Sequence, residues 1–349
     1  MKEFYNVNEV AKMFSIATNK IRYYEEKGLI KPLRDDNSDY RKFTEEDILR
    51  LQAILLYRCI GLSIKDIKDI LDDSSNSNYL NHFNKQWEIV NDELHKLINV
   101  RDSIGTIIDK LYESNNDKFS DNILHIIEST KKLNELRDNW KDKWSFDSWA
   151  SSYDEDVAKD ISGVKMYKNY NHILDEVFKA ATNINKKDLS ILDIGVGTGN
   201  LAGRFLEENY DVVGIDQSRE MLNVAKQKYP KLKVRLGEFL KIPFNDKSFD
   251  VIVSTYAFHH LNNEQKVMAI KEMLRVLKDQ GKIVIGDLMF EDDKDRKDIM
   301  SKLSAKQIEE IEDEYYSNVD FLIIEFKKLN KKLKYTKMDY INYVIEISE

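Results

Sequence analysis

From Leu80 onward, apolar residues recur in alternating steps of three and four: Leu80, Phe83, Trp87, Val90, Leu94, Leu97, Ile104, Ile108 and Leu111, with Arg101 the one charged member of the seam. More than four heptads without a slip predict a long helix with one apolar stripe. Such a stripe suits a two-stranded coiled coil; a helical hairpin within one chain is the alternative. A Ser-Asn run at 74–78 predicts a hinge before the helix, and residues 114–121 a turn after it. A second helix over about 122–144 carries Ile123, Ile127, Leu133, Leu136 and Trp140.

The pattern differs on the two sides of this stripe. On the amino-terminal side, Val7, Val10, Ala11 and Phe14 give one apolar helical face. A break follows at Ser15–Thr18, with Thr18 offering a cap, and then a second short helix, Asn19 to Lys27, stopped by Gly28 and Pro32. That helix carries Lys20, Arg22, Tyr23 and Tyr24, basic and phenolic groups suited to a DNA groove and its phosphates. Tyr40, Arg41 and Lys42 follow as the tip of a wing, and a helical stretch over 44–71 breaks at Gly61-Leu62-Ser63.

On the carboxyl-terminal side short apolar runs alternate with helical periods, the signature of a doubly wound α/β sheet. Leu189, Ile191, Leu192 and Ile194 read as a buried parallel strand leading into Gly195, Gly197 and Gly199, and a helical pattern opens at Leu201. A second strand, Asp211 to Ile215, ends in Asp216, an acid placed to accept from ribose hydroxyls. A third strand, 233–236, runs into Gly237, Glu238 and Phe239, an acid and an aromatic ring placed to meet an adenine. A fourth strand, Phe249 to Ser254, leads to the loop holding His259 and His260; a helix from about Asn263 to Leu277 and a fifth strand, Lys282 to Asp287, follow.

The glycine order is G-x-G-x-G, with Asn200 where a dinucleotide fingerprint has its third glycine, and no Gly-Lys-Ser/Thr ending follows. Asp193, two residues before the first glycine, sits poorly beside a pyrophosphate and suits a ligand bearing an ammonium. A nucleoside without phosphates is the expected ligand. His259 and His260, at the end of the fourth strand, are the candidate general bases, although either could equally cap or pack under the next helix. Tyr256, Tyr315 and Tyr316 are weaker candidates for lining a substrate pocket.

These residues carry two resemblances. FDSWASSYDEDVA at 146–158, GVGTGN, GID, VSTYAFHHL and EYY at 314–316 resemble class I S-adenosylmethionine-dependent methyltransferases, more narrowly those of the YrrT type, over roughly 145–349. The resemblance implies a mostly parallel seven-stranded Rossmann-like sheet with S-adenosyl-L-methionine as cofactor and a small-molecule methyl acceptor. It places Gly195, Gly197 and Gly199 beside the methionine part, Asp193 near its amino group, Asp216 on the ribose, Glu238 and Phe239 at the adenine, and Tyr153 in a lid. The Arg-Tyr-Tyr-Glu run at 22–25 and its surroundings resemble the winged helix-turn-helix DNA-binding domain of MerR-family transcription regulators. That implies promoter DNA as partner and a homodimer joined by an antiparallel coiled coil. The chain departs from the family pattern at Ala17, a serine in relatives, and at Asp39, a glycine.

The expected domains are therefore 1–73, a DNA-binding unit; 74–144, a coiled-coil helix and linker; and 145–349, a methyltransferase. A net charge of −8 over 349 residues argues against a general polyanion binder, so DNA affinity would depend on where charge is placed. Cys59 is the only cysteine, which excludes a disulfide or a thiolate metal cage within one chain, and no metal site is expected. With no signal peptide and no apolar run long enough to span a bilayer, the expected location is cytoplasmic. Three functions fit: a bifunctional regulator that methylates, a sensor that only binds the cofactor, and an enzyme whose amino-terminal region serves dimerisation alone.

Overall fold

A computed structural model describes residues 3–35, 38–72, 79–113, 143–160, 162–186 and 188–349, with positions 128, 131 and 135 between them. The expected hinge at 74–78, the turn at 114–121 and the apolar positions of the 122–144 helix lie outside the described residues. The chain divides into two compact units, residues 1–98 and 99–349.

In the first unit, α1 (Val7–Met13) starts where sequence chemistry is strongest. The Asn6 side chain accepts from the Asn8 and Glu9 amides, and the Glu9 carboxylate accepts from the Asn6 amide, a reciprocal cap that satisfies the open helix end. The turn to α2 (Thr18–Glu26) passes through Ser15 at φ 54°. Here the expected cap at Thr18 is corrected: Thr18 is the first helical residue and Ala17 holds the cap position with no side-chain bond. The wing is a short antiparallel pair, β1 (Leu33–Arg34) and β2 (Arg41–Lys42). Its tip turns at Asp39, which adopts the left-handed φ of 55° that glycine favours and aspartate tolerates better than most residues. Two further helices, α3 (Glu45–Cys59) and α4 (Ile64–Asp72), close a core of Val10, Ile21, Tyr24, Leu29, Phe43, Leu51, Ile54, Tyr57 and Ile67.

Helix α5 spans Tyr79–Glu113. Along it Leu80, Phe83, Leu94, Leu97, Ile104 and Ile108 stand exposed in the single chain, whereas Gln86, Asn91 and His95 are buried. The stripe is apolar surface without a cover among the described residues.

The second unit is built on a sheet of order β5-β4-β3-β6-β7-β10-β9, where β3 is Ser190–Ile194, β4 Asp211–Asp216, β5 Lys233–Leu236, β6 Phe249–Thr255, β7 Leu277–Phe290, β9 Lys332–Lys337 and β10 Asn342–Ser348. A two-residue β8 (Ser317–Asn318) pairs with the end of β7. β5, β4, β3, β6 and β7 run parallel, and β10 is antiparallel to both neighbours. Strand periodicity divides the side chains between two faces. Leu192, Ile194, Ile252, Ile283 and Ile285 share one core with the helices Asn263–Val276 and Val319–Lys328. On the opposite parity, a Cβ at Gly286 would meet Val177 and Ile173 of the helix Tyr170–Thr182 at 2.7 and 2.8 Å, so that helix takes the other face. Strand order reverses between β3 and β6, and the crevice opens at their carboxyl ends, where ligands bind in such sheets.

Candidate active site and the exposed face of α2

A cavity of about 800 Å³, counting its open mouth, lies at the carboxyl ends of β3, β4, β5 and β6. Its wall includes Gly195, Gly197, Asp216, Glu238, Phe239, Tyr256 and His260, with Tyr153, Tyr170 and Phe146 closing it from the amino-terminal side. Among the described residues two carboxylates line it, and no lysine or arginine does. The loop after β3 can reach the cavity because its glycines take conformations other residues avoid. Gly195 has φ +70°, and a Cβ there would stand 2.5 Å from Ala257 Cβ; at Gly197, φ +52°, a Cβ would meet nothing within 4 Å. The Gly197 and Ser218 amides both donate to the Asp216 carboxylate at 2.9 Å, which fixes that acid at the tip of β4. Tyr256, a large side chain held at φ 50°, carries backbone strain of about 1–3 kcal/mol at the cavity wall.

Two of the expected cofactor residues stand elsewhere. Gly199 (φ +85°) caps the helix Asn200–Glu207 and is packed from behind by Tyr229, 3.1 Å from where its Cβ would be. Asp193 is buried behind the wall rather than on it, and neither oxygen has a hydrogen-bond partner among the described residues. Burial, with the Asp216 charge beside it, pushes its pKa up to about 8 against a smaller pull from the Ala202 amide.

The segment expected as a lid is tied down by acids that its motif does not single out. In the helix Tyr153–Lys159, Asp154 accepts from Thr198 Oγ1 at 2.6 Å, Asn200 Nδ2 at 2.9 Å and Lys228 Nζ at 2.5 Å. Asn200 thus anchors the lid at the position where a dinucleotide fold has glycine. Asp147 of the short helix Phe146–Trp149 accepts from Ser218 Oγ at 2.6 Å and from the Glu220 amide at 3.2 Å, binding the same lid to the start of the helix after β4. The only sequence trace of these latches was the acid-rich 147–156 stretch.

The two histidines separate in role. His260 lines the cavity, stacked on Trp144 with ring centroids 4.3 Å apart and joined through Nδ1 to Glu314 at 2.9 Å. His259 is buried one step behind, off the wall, with Nδ1 on Asp287 at 2.5 Å and its own amide donating to the same carboxylate at 2.9 Å. Burial opposes the charged form of His259, yet the Asp287 carboxylate raises its pKa above the usual value. For His260 burial and the neighbouring His259 win over Glu314, and its pKa falls. Lys266, fully buried nearby, is driven down to about 7 by burial and donates to the carbonyls of Leu261 and Tyr315. Tyr316 is buried with its ring 5.9 Å from that of His259, and Tyr315 donates its amide to the His259 carbonyl.

On α2, Lys20, Arg22 and Tyr23 are exposed. Tyr24 is corrected: it lies three residues from Ile21 on the inner face and is 2 % exposed, a core residue rather than a DNA-contacting one. Tyr40 stands out at the wing, 76 % exposed. Arg41 and Lys42 are there too, but each is engaged by an acid: Arg41 Nε binds Glu25 at 2.6 Å, with Arg34 on the other carboxylate oxygen at 2.7 Å, and Lys42 binds Asp35 at 2.5 Å. Among the described residues neither Lys20 nor Arg22 has an ion-pair partner.

Against known proteins, residues 191–281 match the family described as methyltransferase domain, and residues 5–74 the MerR HTH family regulatory proteins. An uncharacterised methyltransferase of Oceanobacillus iheyensis is 37 % identical over 206 residues, covering 57 % of this chain and 93 % of its own. One from Alkaliphilus oremlandii is 35 % identical over 205 residues, covering 57 % and 94 %. Among solved structures, phosphoethanolamine N-methyltransferase 2 of Haemonchus contortus in complex with S-adenosyl-L-methionine aligns with a TM-score of 0.47 at 19 % identity, over 61 % of this chain and 59 % of that one. Among the described residues no helix is long and apolar enough to cross a membrane.

Proposed function

The chain belongs to the S-adenosylmethionine-dependent methyltransferases and carries a MerR-type helix-turn-helix, and we propose that it is a promoter-binding regulator whose second half methylates a small-molecule acceptor. The observation that carries this reading is the cavity wall, with carboxylates and no cationic side chain. Such a wall suits a nucleoside bearing an ammonium and a sulfonium, and would repel a polyphosphate. When bound, that cofactor supplies a methyl group on a sulfonium carbon, with a good leaving group already in place. The protein's task is then mostly alignment. Gly195 and Gly197 would let the backbone approach the methionine part, Asp216 would accept from the ribose, and Glu238 with Phe239 would hold the adenine. Tyr153, in the lid latched by Asp154, would exclude water above it. His259 and His260 would serve the acceptor side.

At the other end, Lys20, Arg22, Tyr23 and Tyr40 would meet DNA. The exposed stripe of α5 would join two copies, giving a division at 1–73, 74–144 and 145–349. Cofactor binding would bias the dimer geometry, a linkage that requires the ligand to favour one arrangement. The test is calorimetric titration of purified full-length protein with S-adenosylmethionine and S-adenosylhomocysteine, with and without DNA from its own promoter. Affinity that changes with DNA supports the coupled regulator, since linkage is reciprocal. Equal affinity with and without DNA would mean two independent activities, and absence of binding would overturn the cofactor assignment. Coupling without turnover of any methyl acceptor would favour a pure sensor.

A further inference from the structure

We propose that His259, His260 and Glu314 form a binding site for a divalent transition-metal ion on the acceptor side of the cavity. Each offers one ligand atom, and the three atoms lie within 4.8 Å of one another. The donor set of two imidazoles and a carboxylate suits borderline ions such as zinc, cobalt or iron rather than magnesium or calcium. His259 is already oriented as a metal-bound histidine is. Asp287 holds its Nδ1 at 2.5 Å and is itself fixed by the amides of His259 and Leu288, at 2.9 and 2.7 Å. That leaves Nε2 as the ligating nitrogen. His260 Nδ1 and the Glu314 carboxylate stand 2.9 Å apart, close to the separation of adjacent ligands on one ion. The nearby Lys266 ammonium is turned to the carbonyls of Leu261 and Tyr315.

Because His260 reaches the cavity wall, a further coordination position would face the methyl acceptor. The acceptor class that follows is a thiol or a hydroxyl compound. Its sulfur or oxygen would bind the ion and lose its proton to solvent, then form the new bond to carbon as the carbon–sulfonium bond breaks, releasing S-adenosylhomocysteine. Only this consequence rests on the methyltransferase reading; the site itself stands on the side-chain geometry.

The experiment is cobalt(II) titration of the untagged full-length protein, read by ligand-field absorption in the visible and by equilibrium dialysis. Calorimetry with S-adenosylmethionine runs in parallel. We expect about one ion per chain, with at least ~10-fold weaker binding in Glu314→Gln and in His260→Ala, and ~10–100-fold weaker binding in Asp287→Asn. Glu314→Gln should keep S-adenosylmethionine binding, which also shows that it folds. Absence of stoichiometric cobalt in a wild-type protein that binds the cofactor overturns the metal site and leaves the methyltransferase reading intact. Cobalt retained at full affinity in both Glu314→Gln and His260→Ala overturns it as well. Cobalt bound and lost in the variants, with no cofactor binding, upholds the site and removes the reading above.

Discussion

Carboxylates serve opposite purposes in the two units. Around the wing of the first, acids meet cations: Glu25 holds both Arg34 and Arg41, and Asp35 holds Lys42. In the cavity of the second, Asp216 and Glu238 stand on a wall lined by no lysine or arginine among the described residues, and Asp193 is buried behind it. The difference teaches that charge placement, which the chain's net −8 hides, separates a surface whose cations meet acids from a pocket wall lined by acids. Wing cations already neutralised have less to offer a phosphate. Carboxylates on a wall lined by no lysine or arginine among the described residues suit a positively charged ligand.

Five measurements would break or sharpen that contrast. The largest effect is expected at Tyr24, where Tyr24→Ala should cost the first unit about 3–5 kcal/mol in denaturant unfolding, while Tyr23→Ala changes it by less than about 0.5 kcal/mol. Similar losses at both would return Tyr24 to the surface. Next, Asp216→Ala should weaken S-adenosylmethionine roughly 100-fold, about 2.7 kcal/mol, in calorimetry, with DNA affinity unchanged. Undiminished affinity would remove the ribose role.

Asp250 offers the reverse case within the same unit. It is held by Lys186 at 2.5 Å, Lys278 at 3.0 Å and the Ser190 amide at 3.0 Å. Burial opposes its charge, but these partners keep its pKa well below the usual carboxylate value. Its stabilisation is therefore present at neutral pH and lost as pH falls below about 4 towards the folded value. Asp250→Asn should cost about 1–2 kcal/mol at pH 7 and little in strong acid, by thermal unfolding. Asp193 has the opposite sign. With its folded pKa raised to about 8, the folded state holds the proton more tightly and stability falls as pH rises from about 4 to 8, a slope Asp193→Asn should remove.

The smallest effects are expected on DNA. Arg22→Ala should weaken promoter binding about tenfold and reduce its salt dependence by about one unit, because no acid among the described residues engages Arg22. Arg41→Ala should cost only about two- to threefold, roughly 0.5 kcal/mol, since Glu25 already holds it. Equal losses in gel-shift titrations would mean that the Glu25 pair opens on DNA.

Much of this was legible in the chain because local rules decide it. Short apolar runs and the glycine spacing located β3, β4 and the loop between them, and the apolar face of Val7, Val10, Ala11 and Phe14 announced α1. The seven-residue stripe of α5 was readable as a stripe, and its exposure follows from the single chain. Helical period also held the answer at Tyr24, three residues from Ile21, but two adjacent tyrosines beside Lys20 and Arg22 pointed both to the surface. The strand Lys282 to Asp287 proved to extend over 277–290, since pairing with both β6 and β10 prolongs a strand beyond its apolar run. β9 and β10 were not read as strands, although Lys332, Leu333, Lys334 and Tyr335 alternate in β9 and Tyr343, Val344 and Ile345 form an apolar run in β10.

By itself, then, the sequence determined the short helices of the first unit, the stripe of α5, the strands β3 to β6, the glycine loop with its acid some twenty residues on, and the company of basic and phenolic groups on α2. These depend on neighbours within one or two turns, where spacing alone sets which side chains share a face. Only the tertiary structure decided that Asn200 and Asp154 join across 46 positions, that Asp287 and Glu314 turn two adjacent histidines to different tasks, and that Asp193 and Gly199 sit behind the cavity wall. Those outcomes follow from contacts that chain separation does not encode, since burial and charge act through distance in space.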